Sequence, residues 1–156
     1  MKWWSYEGRV FPYKKLSHHT FGKIKIPSVE LTLKATREVK LYAIVDSGAV
    51  ISLFPRSVCD LLGLKYEAGM KASLISATRE EIPVRVHEVR IKIGEIEFSA
   101  RVGFSELENV PHLLGMLDVF DNVKSTPSTC TTPDHTYRGW KIHLHPTRLR
   151  TMNTST

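Results

Sequence analysis

The residues best suited to chemistry in this chain are Asp46-Ser47-Gly48-Ala49, because of what stands on either side of them. The run Leu41-Tyr42-Ala43-Ile44-Val45 leads straight into Asp46 and has the continuous apolar character of a strand buried on both faces. Such a strand carries its terminal carboxylate toward an apolar interior, where a carboxyl group can serve as a general acid or base. Ser47 supplies a small hydroxyl able to hydrogen-bond nearby. Gly48 lets the backbone turn tightly and come close to a partner or a substrate. On its own Asp-Ser-Gly is a common exposed turn. Here, however, a second apolar run, Val50 to Phe54, comes at once, whereas a surface hairpin turn joins strands that alternate polar and apolar.

Other constellations carry less. His135, His143, His145 and Cys130 gather near the C-terminus, but their spacing matches no common zinc pattern, so no metal and no cofactor is expected. Glu95 and Glu97, and Glu106 and Glu108, stand two apart, which in a strand places each pair on one solvent face. His18-His19 reads as surface. Trp3, Trp4 and Tyr6 lie among basic residues and have the chemistry to stack on single-stranded nucleic acid; packing against the folded domain or a second subunit is the weightier reading. Cys59 and Cys130 are too few to staple a fold and are read as reduced thiols, Cys59 among apolar neighbours.

The elements that must position Asp46 read mostly as strands. Lys23-Ile24-Lys25-Ile26 and Val29 to Lys34 alternate polar and apolar, with Pro27-Ser28 marking a bend between them. Pro55 fits the first position and Gly63 the end of a two-turn helix. Lys71 to Ser76 and Ile82 to Val86 form a hairpin candidate. Val89 to Ile93 and Ile96 to Val102 form another around Gly94-Glu95. Val110 to Gly115 reads as a short buried strand ending at glycine, and Met116 to Asn122 has the spacing of a short helix. Many short strands and two brief helices predict a mostly-β, barrel-like domain. Residues 22–123 form this domain. Residues 1–21 read as a basic, aromatic N-terminal arm, 124–139 as a Ser/Thr/Pro-rich loop, 140–145 as a possible terminal strand and 146–156 as a disordered tail.

The 156 residues suffice for one domain with a proper core, and 42% apolar with 24% charged residues excludes a disordered chain. No apolar run approaches the roughly 20 residues needed to cross a bilayer, and the first residues lack a signal peptide's continuous apolar stretch. A cytoplasmic protein without membrane contact is expected. The net charge of +6 is uneven. Residues 1–40 carry nine Lys and Arg against three Glu, residues 41–120 eight against eleven acids, and residues 121–156 five against two. The basic arms read as solubilising, since no block is dense enough for a nucleic-acid tail.

The order of these features resembles the retropepsin-like aspartic proteases, the single-lobe relatives of pepsin. In that family an apolar-apolar-Asp-Ser/Thr-Gly-Ala turn precedes a flap hairpin, and an apolar-apolar-Gly strand with a short helix completes the lobe. The resemblance covers residues 22–123 and is most specific over Ala43 to Leu64, with Leu113-Leu114-Gly115 correctly placed. It implies a closed β-barrel lobe with one or two short helices, Asp46 as the catalytic carboxylate, and Ser47, Gly48 and Ala49 as its support. It also implies a flap at Ser76, Ala77, Thr78, Arg79, Glu80 and Glu81, and Leu114 and Gly115 as bracing residues. Hydrolysis by this route needs two carboxylates sharing a proton, and only one Asp-Ser-Gly is present, so the resemblance implies a homodimer acting on an extended peptide. The flap tip lacks the glycines usual in viral members. Met116 stands where many relatives have a bracing arginine. The alternatives are a retropepsin-fold module that binds or dimerises without cleaving, or cleaves only itself, and a small basic β-barrel that binds nucleic acid.

Overall fold

The computed structural model describes the backbone of residues 9–120, 122–131 and 136–144, and the side chains of residues 13–120, 122 and 123. Among the described residues twelve strands and one α-helix succeed one another in chain order. They are β1 (Arg9–Pro12), β2 (Lys14–His18), β3 (Gly22–Ile26), β4 (Ser28–Lys34), β5 (Glu38–Val45), β6 (Ser52–Pro55), α1 (Arg56–Leu61), β7 (Met70–Ile75), β8 (Glu81–Ile93), β9 (Ile96–Ser105), β10 (Leu113–Leu114), β11 (Val123–Thr131) and β12 (Thr136–Leu144). Among the described residues no helix is long and apolar enough to cross a membrane.

The main sheet runs β4-β5-β10-β6-β9-β8-β7, and β4 pairs a second time with β8, so the sheet curls back on itself. Its order explains how a loop can be held in its middle. β5 and β6 are consecutive in the chain but not neighbours; the two residues of β10 are inserted between them, parallel to β5 and antiparallel to β6. The chain crossing from β5 to β6, residues 46–51, must therefore arch over the end of β10.

Period-2 alternation divides the apolar residues between two clusters. Phe54, with Val29, Leu33, Ile91, Val102 and Phe104, belongs to the large core between the curled sheet and α1. Leu53 points the other way, with Ile51, Val84 and Val86, and the half-buried Ala72, Leu74, Ile82 and Leu113 pack on them. β6 is thus buried on both faces, as its apolar run predicts. β5 is not. Ala43 and Val45 are buried, but Tyr42 beside them is half exposed, its hydroxyl donating to Glu30 Oε2 at 3.1 Å. An apolar run does not distinguish a strand covered on two faces from one whose outer face carries an amphipathic tyrosine.

Three further expectations change. The segment expected as an arm contains two strands: β2 pairs with β3 across residue 21, and β1 pairs with β12. The Ser/Thr/Pro-rich segment 124–139 is not a loop; most of it lies in β11 and β12, which pair from Val123↔Leu144 to Thr131↔Thr136. Thr is a good strand residue, and Pro127 is accommodated on β11, an edge strand where a missing N–H costs little. The last strand is accordingly longer than 140–145. The tail 146–156 lies outside the described residues. Finally, in the segment expected as a helix over Met116 to Asn122, the described residues 116–120 and 122 form bends and turns instead, because Asp118 adopts φ 61° among them. The hairpins expected at 71–86 and 89–102 form, joined through one long strand, β8. Pro55 stands one residue ahead of α1, and Gly63 closes it at φ 75°.

Candidate active site

Asp46 comes directly after β5, and its backbone N–H donates to Leu114 O at 3.0 Å, extending the β5–β10 pairing by one bond. The chain then turns. Gly48 N donates to Asp46 Oδ1 at 2.9 Å and Ala49 N to Asp46 O at 3.2 Å, so the carboxylate closes the turn that presents it. One oxygen is used in this way; the side chain is half-buried, and no hydrogen bond from the described residues reaches the other oxygen. Ser47 and Gly48 are exposed.

The far side of the loop is held by backbone. Met116 N donates to Ala49 O at 2.9 Å and Leu117 N to Val50 O at 2.8 Å. Gly115 sits so close to the crossing chain that a Cβ there would lie 2.5 Å from the carbonyl carbon and oxygen of Ile51. Its N–H donates to Ser52 Oγ at 3.0 Å. Ser52 is fully buried and interrupts the apolar run Val50 to Phe54. That interruption is the available sequence signal for a residue outside the expected site. Ser52→Ala removes the acceptor and leaves the Gly115 amide buried and unpaired, a cost of about 1–3 kcal/mol. The expected result is a lower denaturation midpoint at unchanged m-value, measured by urea titration.

Asp118 supplies the next anchor. Its Oδ2 accepts from Arg101 Nε at 2.7 Å and from Arg101 N at 2.9 Å, and its Oδ1 accepts from Arg101 Nη2 at 3.0 Å. The buried Asn122 donates through Nδ2 to Asp118 O. The guanidinium holds the Asp118 carboxyl below its ordinary value of 3.8. A depressed carboxyl stabilises the fold above its unfolded pKa, and that contribution is lost as pH falls through the folded value. Thermal denaturation of wild type and Asp118→Asn should therefore differ by a few degrees from pH 5 to 7, with the gap closing below about pH 4.

The expected site residues separate into two groups. Asp46, Ser47, Gly48 and Ala49 share one loop, and Leu114 and Gly115 lie against it. Residues Ser76 to Glu80 form the tip of the β7–β8 hairpin. There Ser76 Oγ bonds Thr78 Oγ1 at 2.8 Å and accepts from Glu80 N at 3.1 Å, and Arg79 adopts φ 63°. These bonds order the tip without glycine. Among the described residues no hydrogen bond joins the tip to the Asp46 loop; the connection is apolar, through Leu74 and Ile82 packed on the cluster of Ile51, Leu53 and Val84. A cleft of about 420 Å³ lies elsewhere on this hairpin, between Tyr66, Lys71, Ser73, Arg85 and Glu106, and Asp46 takes no part in it.

Cys59 is fully buried in the core and its thiol is pushed up to about 11 by burial, so it is a packing residue and not a nucleophile. Among the described residues no three His, Cys, Asp or Glu side chains converge as metal ligands, and the side chains of Cys130, His135, His143 and His145 lie outside those residues. Three of the four paired acids are engaged: Glu97 meets Lys34 and Arg90, Glu106 meets Arg56, and Glu108 accepts from Ser57 N in the first turn of α1.

Comparison with known proteins gives these features a context. Residues 17–117 match the family model described as aspartyl protease, which spans the Asp46 loop, the β7–β8 hairpin and β10. Among solved structures the chain is similar to a retropepsin-like aspartic protease from Rickettsia conorii, at 16% identity and a TM-score of 0.49, covering 82% of this chain and 98% of that one. No curated protein matches it.

Proposed function

The chain belongs to the aspartyl protease family, and from that premise we propose that it is an endopeptidase whose active unit is a homodimer, with Asp46 of each subunit forming the catalytic pair. The observation that carries this reading is the mounting of Asp46. A carboxylate stands at the end of a core strand, on a loop held from behind by β10 and Gly115, with one oxygen engaged and the other without a hydrogen bond from the described residues. One such loop provides one carboxylate, whereas general acid and base action on a peptide bond needs two. At a separation of about 3 Å two carboxyls share a proton, one withdrawing a proton from water while the other donates to the carbonyl oxygen.

A two-fold axis beside the loop supplies the second carboxylate from an identical chain. Ser47, exposed and without a hydrogen bond to the described residues, would bond across that axis, and Gly48 would face the substrate backbone. Val50 and Met116 flank the loop, 72% and 49% exposed, and Ile75 beside the hairpin tip is 76% exposed. Apolar side chains left in water around a carboxylate suit burial by a second subunit and by an extended peptide under the hairpin acting as a flap.

The test is the dependence of activity on association. Sedimentation and cleavage of a denatured protein at mildly acid pH are measured over the same dilution series. Specific activity should fall as the dimer dissociates. A species that stays monomeric and cleaves at constant specific activity overturns the paired-carboxylate mechanism. A stable dimer without cleavage identifies a binding module on the same fold.

A further inference from the structure

We infer that Asp118 and Arg101 are positioning residues for the Asp46 loop, doing through an ion pair what a side chain at position 116 cannot do here. Only the catalytic consequence rests on the functional reading above.

Ala49 and Val50 are tied by the amides of Met116 and Leu117, so the loop is only as well placed as the segment 115–118. That segment leaves a strand of two residues, β10, too short to orient the chain beyond it. Its upstream end is located by the contact of Gly115 with Ile51 and Ser52. Its downstream end is Asp118, one of the two described non-glycine residues with positive φ. Such a conformation persists where surrounding contacts over-determine it. Those contacts are three hydrogen bonds from Arg101, two from the guanidinium and one from the backbone, and a fourth at Asp118 O from Asn122.

Arg101 belongs to the middle of β9, which is paired on one side with β8 and on the other with β6. The ion pair therefore ties the loop's support to the most extensively paired part of the sheet. Met116, half exposed with an uncharged side chain, offers nothing comparable. A bidentate guanidinium–carboxylate pair fixes orientation as well as distance. Neither Asp118 nor Arg101 bonds to Asp46, so their influence passes through the Met116 and Leu117 amides.

Asp118→Asn is the informative variant, because asparagine tolerates positive φ and retains an oxygen but loses the charge. Arg101→Gln removes the other partner and Arg101→Lys restores charge without the fork. Two readouts are needed. Amide exchange at Met116 and Leu117 should rise in Asp118→Asn and Arg101→Gln on the order of tenfold or more beyond the rise at Val89 and Ile91, whose buried amides report the global loss of stability. Cleavage should lose on the order of 10–100-fold in kcat with little change in KM, since misplacement of about 1 Å in a catalytic group has that effect, and Arg101→Lys should recover part of it. Exchange at Met116 and Leu117 that rises no more than at Val89 and Ile91, with kcat at its wild-type value in Asp118→Asn, overturns the inference. If the wild type cleaves nothing, the functional reading falls, and the exchange measurement alone still decides whether the pair positions the loop.

Discussion

Replacing Asp46 by Asn is expected to lower peptide cleavage by on the order of 10³–10⁴-fold or more while the protein folds as before. The fold should survive because the asparagine Oδ1 can still accept from Gly48 N, the bond that closes the turn. Cleavage should not survive, because the neutral amide neither takes a proton from water nor shares one with a second carboxyl. Mixing sharpens the experiment. If equal amounts of wild type and Asp46→Asn exchange subunits freely and both carboxylates are needed, about one dimer in four is active. Independent monomers would leave half the activity. Cleavage by Asp46→Asn at the wild-type rate would remove Asp46 from the chemistry altogether.

Gly115→Ala is the second large effect, and it acts on the fold. The new Cβ would lie 2.5 Å from Ile51 C and O and 2.8 Å from Ser52 N. All of these are backbone atoms of the chain entering β6, so no side-chain rotation relieves the clash. Moving β10 outward breaks its pairing with β5 and β6 and the Gly115–Ser52 bond together. A cost of about 3 kcal/mol or more is expected, a large part of the roughly 5–15 kcal/mol that holds a domain folded. Urea denaturation followed by circular dichroism measures it. Gly48→Ala is the control: its Cβ would lie 3.2 Å from Asp46 Oδ1, a side-chain atom that can give way, so stability should change by under about 1 kcal/mol. A Gly115→Ala midpoint equal to that of wild type would mean that β10 is not the rigid wedge described.

The difference between these glycines shows how far the chain can be read without its fold. Gly48 is legible because its reason is local: a turn beside an aspartate. Gly115 can be placed by its likeness to a family pattern, but its physical reason, the passage of Ile51 across it, joins positions more than sixty residues apart. Asp118 escapes a linear reading for the same kind of cause. Met116, Val119 and Phe120 have helical spacing, and only the tertiary pairing with Arg101 accompanies a left-handed residue in their midst. Ser125 to Thr131 resembles a linker because polarity without period is ambiguous. Its partner strand, β12, decides the matter by offering a continuous row of hydrogen-bond groups.

Asp46-Ser47-Gly48, the strand that delivers it, the helix after Pro55 and the two hairpins arise from interactions among near neighbours: alternation, turn residues and apolar runs. These local preferences are written in residue order and need no knowledge of distant contacts. The insertion of β10 between β5 and β6, the buried bond from Gly115 to Ser52, and the Asp118–Arg101 clamp are different. Each depends on two stretches of chain meeting in space, and a linear pattern cannot specify which segments meet until the sheet has closed the distance between them.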